Sequence, residues 1–136
     1  MLVFTNRKII FKKNFRLPKK YKGSRSKGLE NCPQKKGICF KVLTMKPKKP
    51  NSEVRKIAKV TLSTRRNVTC YIPGSGHELR EYSRVLVRGG HVPDLPGVQY
   101  RLIRGKCDFS WEEKFIRKNR RSKYGIPRDR TQKFYR

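Results

Sequence analysis

Acidic residues are scarce in this chain of 136 residues, which has nine of them against 37 lysines and arginines and a formal net charge of +28. Self-repulsion at such a charge opposes compaction, so the natural partner is a polyanion, and nucleic acid fits that requirement best. The carboxylates are also dispersed along the sequence, whereas a metal-dependent nuclease needs them clustered. The composition therefore predicts a nucleic-acid-binding protein that is not an enzyme and uses no cofactor.

Long apolar runs are absent as well. No stretch of the sequence approaches the roughly 18 apolar residues of a membrane-spanning helix. No basic helical pattern has the wide apolar face of a helix that lies in a membrane interface. We therefore expect no membrane partner.

Metal-ligand spacing is missing too, although the chain has four cysteines. The closest pair, Cys32 and Cys39, is too widely spaced for a C-x-x-C motif, and no paired histidines accompany it, so we predict no metal site. Reduced thiols, some of them buried, are the expected state. A disulfide between Cys32 and Cys39 is the less favoured alternative.

The positive charge is concentrated at the two ends. Residues 1–28 contain ten basic residues and no acidic one, and residues 117–136 contain nine basic residues and Asp129 as the only acid. Segments of this kind cannot bury enough apolar surface to fold alone, so we expect them to become ordered on a polyanion. For the first segment, a cleavable organellar transit sequence is the alternative.

The middle of the chain has the signature of strands. Five short β-branched or alternating segments, separated by turn residues, predict an all-β protein with a five-stranded OB-fold barrel, and an SH3-like barrel is the alternative. The predicted strands cover residues 37–45, 54–62, 67–72, 84–88 and 98–103. The predicted organisation is a basic N-terminal extension (1–28), the barrel (29–110) and a basic C-terminal tail (111–136), which begins with a short helix-capable stretch over 111–118.

Two loops carry the most informative residues. In loop 46–52, prolines stiffen the backbone that presents three lysines, and Asn51 and Ser52 add neutral hydrogen-bonding groups. In loop 89–97, Gly89 and Gly90 permit positive φ angles and two prolines stiffen the return. Asp94 is unexpected there, because a carboxylate repels phosphate. It is expected to hold the loop's own amides, to form an Asx turn, or to accept from a ribose or base.

Two further segments were considered. The sequence Gly74-Ser75-Gly76-His77 has part of a phosphate-loop pattern, but glycines with positive φ in a turn explain it. Near the C-terminus, Arg121, Lys123 and Tyr124 combine basic charge with an aromatic ring that can stack on a base or ribose.

Taken together, these segments resemble the small-subunit ribosomal protein S-twelve family of the bacterial and organellar type. The matching segments run in order over roughly residues 30–125. They are CPQKKGIC (32–39), PKKPNS (47–52), RKIAKV (55–60), GSGH (74–77), VLVRGG (85–90), DLPGV (94–98) and RSKYG (121–125).

The resemblance implies a structural protein of the small subunit that binds rRNA at the decoding centre and tunes the accuracy of codon–anticodon recognition. The implied partners are small-subunit rRNA, the codon–anticodon helix at the A site, neighbouring ribosomal proteins and, transiently, elongation factors. The candidate RNA-facing residues are, in the loops, Lys46, Lys48, Lys49, Pro50, Asn51, Ser52, Arg88, Gly89, Gly90, Asp94, Leu95, Pro96 and Gly97, and, in the arms, Lys12, Lys13, Arg16, Lys19, Lys20, Arg121, Lys123 and Tyr124.

Two positions depart from the bacterial pattern. Pro93 stands where bacterial-type members usually have a basic residue, which predicts a weak response of this ribosome to streptomycin. Glu53 stands where an alanine is usual and places a carboxylate beside the first loop. These departures favour a mitochondrial ribosome, with a plastid or bacterial origin as alternatives. A free single-stranded nucleic-acid chaperone on the same barrel is the alternative function.

Overall fold

A computed structural model of the chain describes residues 26–111, 113 and 117–126. The described part contains five strands and two short 3-10 turns, at Lys27–Leu29 and Ser122–Tyr124, so the all-β prediction is confirmed. Each predicted strand is present, with shifted ends. The strands are β1 (Gln34–Met45), β2 (Arg55–Leu62), β3 (Asn67–Tyr71), β4 (Arg84–Gly89) and β5 (Tyr100–Leu102).

The five strands close into a barrel in the order β1-β2-β3-β5-β4, which confirms the predicted five-stranded barrel. Neighbouring strands are antiparallel except β3 and β5, which are parallel. Strand β1 starts earlier than predicted, because Lys35 and Lys36 pair with Val87 and Leu86 of β4. Backbone pairing extends the strand there although the side chains are polar.

The interior of the barrel is a single apolar cluster to which all five strands contribute. Phe109 and Leu29, which flank the strands in sequence, complete the cluster. Full burial of one aliphatic side chain contributes roughly 1.5–3 kcal/mol, so this core is the main source of stability. The strand residues buried in the cluster include Cys39, Ala58, Val60, Leu62, Cys70, Val85, Val87, Tyr100 and Leu102.

All four cysteines are free thiols, as expected, and the alternative disulfide between Cys32 and Cys39 does not form. Cys39 and Cys70 are fully buried and pack as small apolar side chains. Burial raises the pKa of both thiols, so they remain neutral in the core.

A β-bulge in β1 decides which residues face the interior. The register with β2 shifts between Cys39 and Lys41. Cys39 and Val42 both contact the core cluster although they are three residues apart, which strict alternation would forbid. One extra residue restores the pattern. Two successive residues, Phe40 and Lys41, therefore face outwards, and Phe40 has 64% of its area exposed.

A second apolar cluster forms from Ile57 of β2 and the loop residues Val92, Leu95 and Val98. Leu43, Met45 and Tyr71 pack against it. Because Leu43 follows the inward-facing Val42, this cluster lies on the outer surface of the sheet. The loop after β4 therefore folds back over the end of β1 and β2. Among the residues described, no helix has the length and apolarity that a bilayer crossing demands.

Candidate nucleic-acid interface

The two loops singled out from the sequence lie against each other. The amide of Lys48 donates a hydrogen bond of 2.9 Å to the carbonyl oxygen of Asp94. Within the first loop, the amide of Asn51 donates to the carbonyl oxygen of Lys48 at 3.2 Å. The first loop connects β1 to β2, and the second follows β4. The closed barrel therefore brings together two segments that are far apart in sequence.

The first loop presents its polar groups to solvent. Lys46, Lys48, Lys49, Pro50, Asn51 and Ser52 are all exposed, and the peptide bond between Lys49 and Pro50 is cis. Within the described residues, none of the three lysines forms a salt bridge. The described carboxylates therefore leave all three ammonium groups unpaired, and their contact with phosphate oxygens stays a prediction.

The second loop is closed by its own backbone. The amides of Gly90 and Val92 donate to the carbonyls of Gln99 and Val98 at 3.0 and 3.2 Å. At the tip, Pro96 and Gly97 are exposed. Gly97 has a φ of 77° and open space around it, so the backbone conformation is what favours glycine there. The result is a narrow, stiff projection.

Leu95 differs from the role predicted for it. The sequence analysis placed it among the residues that face RNA, but its side chain is 0% exposed, at the centre of the second apolar cluster. Its burial follows from the return of the loop over Ile57. Leu95 anchors the loop, and its neighbours Asp94 and Pro96 are the residues left towards solvent.

The two glycines at the start of the second loop serve different purposes. Gly90 has the expected positive φ, 156°. Gly89 belongs to β4 and is favoured for steric reasons, because an added Cβ would lie 2.7 Å from the hydroxyl oxygen of Ser26. Arg88, immediately before it, is exposed at the end of the strand.

Arg55, at the start of β2, connects the two loops through its side chain. Its Nη1 lies 2.7 Å from Oε2 of Glu53, and its Nε and Nη2 both lie 3.2 Å from Oδ2 of Asp94. Burial disfavours the charge on Arg55, but the two carboxylates outweigh burial and raise its pKa. We call Arg55, Glu53 and Asp94 the loop cluster.

The loop cluster answers two questions that the sequence raised. The described hydrogen bonds of the Asp94 carboxylate go to Arg55 and not to amides of its own loop, so neither the loop-holding role nor the Asx turn is observed. Glu53 does not face RNA as a free acid, because Arg55 compensates its charge. Arg55 was not predicted as a site residue, because its contact with Asp94 joins segments that are 39 residues apart in sequence.

The basic segment near the C-terminus packs against the rest of the chain. Lys123 is exposed, whereas the guanidinium carbon of Arg117 lies 3.8 Å from the centroid of the Tyr124 ring. One face of that ring is therefore occupied by Arg117, and stacking on a base would use the other face. The carbonyl of Arg121 accepts hydrogen bonds from Tyr124 and Ile126 at 3.0 and 3.1 Å.

A buried arginine, Arg104, fixes this C-terminal segment and was not predicted. It donates to the carbonyls of Pro73 and Ser110 at 3.2 and 3.3 Å, and also to the carbonyl of Gly76. Its Nε lies 3.8 Å from Glu113, whose other oxygen is 2.6 Å from Nε of Arg117. We call Arg104, Glu113 and Arg117 the buried cluster.

The turn at residues 73–76 wraps around the buried cluster. Gly74 and Gly76 have φ angles of 92° and 79°, which confirms the predicted turn. A Cβ on Gly74 would lie 2.3 Å from Oε1 of Glu113. The amide of Ser75 donates to that same oxygen at 3.3 Å. Gly74 therefore permits close packing against a carboxylate and Gly76 a positive φ, and phosphate binding is not needed to explain either glycine.

Other predicted residues fall elsewhere. The described part does not include residues 112 and 114–116, so the expected short helix over 111–118 stays a prediction. It also does not include the N-terminal arm, so the roles predicted for Lys12, Lys13, Arg16, Lys19 and Lys20 stay predictions. In the part that is described, no three His, Cys, Asp or Glu side chains gather as a metal site.

Comparison with known proteins covers most of the chain. Residues 22–131 match a family model described as Ribosomal protein S12/S23. A curated relative from Acanthamoeba castellanii, "Small ribosomal subunit protein uS12m", is 63% identical over 107 residues, which are 79% of this chain and 84% of the relative. The family match contains the whole barrel and both loops.

Proposed function

Because the chain belongs to the ribosomal protein S12/S23 family, we propose that it is a structural constituent of the small subunit of the mitochondrial ribosome and binds the rRNA of that subunit. The high identity with uS12m over most of both chains supports the mitochondrion over the plastid and bacterial alternatives. The net charge of +28 supports rRNA and neighbouring ribosomal proteins as the partners. A ribosomal role also agrees with the absence of clustered carboxylates in the sequence.

We further propose that the paired loops act at the decoding centre. The observation that carries this proposal is the direct bond between the loops, from the Lys48 amide to the Asp94 carbonyl. It makes one rigid surface from lysines that can hold phosphates and from small polar groups, Asn51 and Ser52, that can contact 2′-hydroxyls in a minor groove. In this arrangement the codon–anticodon helix at the A site lies within reach of the loops.

The proposed mechanism is a shift in population and involves no chemical step. The loop surface contacts rRNA better in the closed state of the subunit than in the open state, so it favours closure when the codon–anticodon helix is correct. Arg55 holds Asp94 in place during this transition. Elongation factors are transient partners of the same event.

Substitutions in the first loop test this proposal. We expect Lys48→Ala and Pro50→Leu to change misreading rates in a translation assay while the protein remains in small subunits. Lys59→Ala is the matched control, since Lys59 is an exposed lysine of β2 outside both loops. If both loop variants misread like the control, the loop only anchors the protein.

Sedimentation separates the proposal from the alternative of a free nucleic-acid chaperone. A structural constituent stays with small subunits at moderate salt, because many phosphate contacts are combined with protein packing. A chaperone would be found mostly in the free fraction. Exposed aromatic residues in the described part do not form the row across the strands that single-strand binders use, which favours the ribosomal role.

A further inference from the structure

Three apolar side chains stand exposed on one side of the barrel, away from the loop tips. Ile38 is 51% exposed, Phe40 64% and Tyr82 80%. Ile38 and Phe40 are two residues apart on β1, and both lie on its outer surface. The amide of Tyr82 donates to the carbonyl of Cys39 at 2.8 Å, which places the Tyr82 backbone beside Phe40.

The fold leaves these side chains uncovered. The returning loop 89–97 covers Leu43 and Ile57 on the same outer surface. The described apolar cluster of that loop does not include Ile38, Phe40 or Tyr82. Phe40 faces outwards because it follows the inward-facing Cys39, and it lies at the bulge in β1. Neighbouring exposed apolar groups of this kind mark surfaces that bind a partner.

The charges around this surface differ from those of the rest of the chain. Glu78 and Glu81 are exposed, and neither makes a salt bridge or hydrogen bond within the described structure. The other described carboxylates all pair with arginine or lysine, namely Glu30, Glu53, Asp94, Asp108 and Glu113. In a chain of charge +28, the two uncompensated acids thus stand in one short segment that ends at Tyr82.

A depression adjoins the same segment. It has a volume of about 520 Å³ and is lined by His77, Glu78, Leu79 and Arg80. The Nδ1 atom of His77 is buried and has no hydrogen-bond partner among the described residues. A side chain of a partner could enter this depression with Glu78 at its wall.

RNA is a poor match to this surface. Two uncompensated carboxylates repel phosphates and so offset the attraction that the exposed side chains of Arg80 and Arg84 would offer to RNA. Aromatic groups at the centre with charged groups at the rim are instead typical of protein–protein interfaces. Charge complementarity then requires lysine or arginine on the partner.

We propose that Ile38, Phe40, Glu78, Glu81 and Tyr82 form a docking surface for a basic segment of another protein of the ribosome. Apolar side chains of that segment cover Phe40 and Tyr82, and its lysine or arginine side chains pair with Glu78 and Glu81. This inference rests on the proposed function. It concerns a surface separate from the paired loops, the first of which follows β1 after Met45.

Carbodiimide cross-linking of purified small subunits tests the ion pairs, because the reagent joins a carboxylate directly to a lysine amine in contact with it. We expect Glu78 or Glu81 to be linked to a lysine of a different protein. The Glu30–Lys35 pair, 2.8 Å apart, is the internal positive control. Glu53 is the negative control, since its described partner is an arginine.

Variants and a second reagent sharpen the result. Glu78→Gln with Glu81→Gln should abolish the link, and Tyr82→Ser should lower its yield about fivefold, as expected for loss of an aromatic contact worth about 1 kcal/mol. In a separate sample, Tyr82→p-benzoylphenylalanine should photo-cross-link to a protein. Cross-links only to rRNA, only to this chain's own N-terminal segment, or to nothing would overturn the proposal.

The cross-links are measured in the sedimenting small-subunit fraction, which keeps the two proposals distinguishable. If the chain sediments with small subunits but Glu78 and Glu81 react only with added amine, the docking surface is wrong and the proposed function stands. If the chain is absent from small subunits, both proposals fail.

Discussion

Arg55 and Arg104 show the same chemistry in two settings. Each contacts a carboxylate, and each holds together segments that are distant in sequence. The side chain of Arg55 is 29% exposed, whereas that of Arg104 is 1% exposed and its partner Glu113 is 0% exposed. The loop cluster thus remains in contact with water, whereas the Arg104–Glu113 pair of the buried cluster does not.

The difference in burial decides what each cluster does. An ion pair near solvent contributes little to stability, because water screens it. A buried charge is expensive to leave unpaired, so breaking its partner is strongly destabilising. The buried cluster is therefore part of the framework. In the loop cluster, Arg55 sets the orientation of Asp94. The second loop, residues 89–97, is stabilised by its apolar anchor Leu95.

Removing Arg104 should have the largest effect. Arg104→Met leaves Glu113 buried with Arg117 as its described partner and removes the donors to three carbonyls. We expect a loss of about 3 kcal/mol in the free energy of unfolding, measured by urea denaturation at high salt. Arg84→Met, at an exposed ion pair, is the matched control. Equal stabilities of the two variants would contradict the framework role.

Removing the apolar anchor should come second. Leu95→Ala leaves a cavity under the second loop, with an expected loss of about 2 kcal/mol in the free energy of unfolding, at the low end for a buried leucine because the loop can partly collapse. Amide hydrogen exchange should quicken at Val92 and Val98. Pro96→Ala, at an exposed neighbouring position, should change neither quantity much. If Leu95→Ala is as stable as that control, the loop is held by the loop cluster instead.

The barrel could be predicted from the sequence because its signal is local. Strands β2 to β4 show alternating or β-branched segments bounded by turn residues, and the structure confirms them. The extension of β1 to Gln34 was missed, because backbone pairing with β4 stabilises a segment whose side chains look like loop.

The roles of individual polar residues were harder to predict, since they depend on contacts between distant segments. Among 37 basic residues, nothing local distinguishes Arg104, whose burial follows from the turn at 73–76 and from Glu113. Leu95 looked like a loop residue because its apolar neighbours, Ile57 and Leu43, come from other strands. Asp94 was expected to bond to its own loop or to a ribose or base, whereas its described partner Arg55 is brought to it by the barrel.

Replacing Arg55 should separate orientation from stability. Arg55→Gln removes the ionic contacts to Glu53 and Asp94, yet we expect a loss of about 1 kcal/mol or less in unfolding free energy. Misreading should nevertheless change as much as in Lys48→Ala, because Asp94 is no longer fixed. Arg65→Gln, in the exposed turn between β2 and β3, is the control for loss of one positive charge. Normal accuracy in Arg55→Gln would show that the loop cluster has no functional role.

The smallest effect expected is a pH dependence of the free energy of unfolding that arises from His77, which feels the charge of Arg104 in the buried cluster. Burial, reinforced by the charges of Lys56 and Arg104, lowers the pKa of His77 below its usual value. In the unfolded chain His77 takes up a proton near pH 6.5, whereas the folded protein resists protonation to lower pH. The unfolded state therefore binds more protons in that interval, and stability must fall as pH decreases from about 7.5 through 6.5.

The variant His77→Gln isolates this effect. It should flatten the pH dependence of the unfolding free energy between about pH 7.5 and 5.5. The lowered pKa of Glu30, caused first by its hydrogen bond to Lys35, acts in a separate window, because that stabilisation is lost only as pH falls below the usual range of a carboxyl group. If His77→Gln leaves the slope of unfolding free energy against pH unchanged, the burial of His77 beside Arg104 does not govern its protonation, and this prediction is wrong.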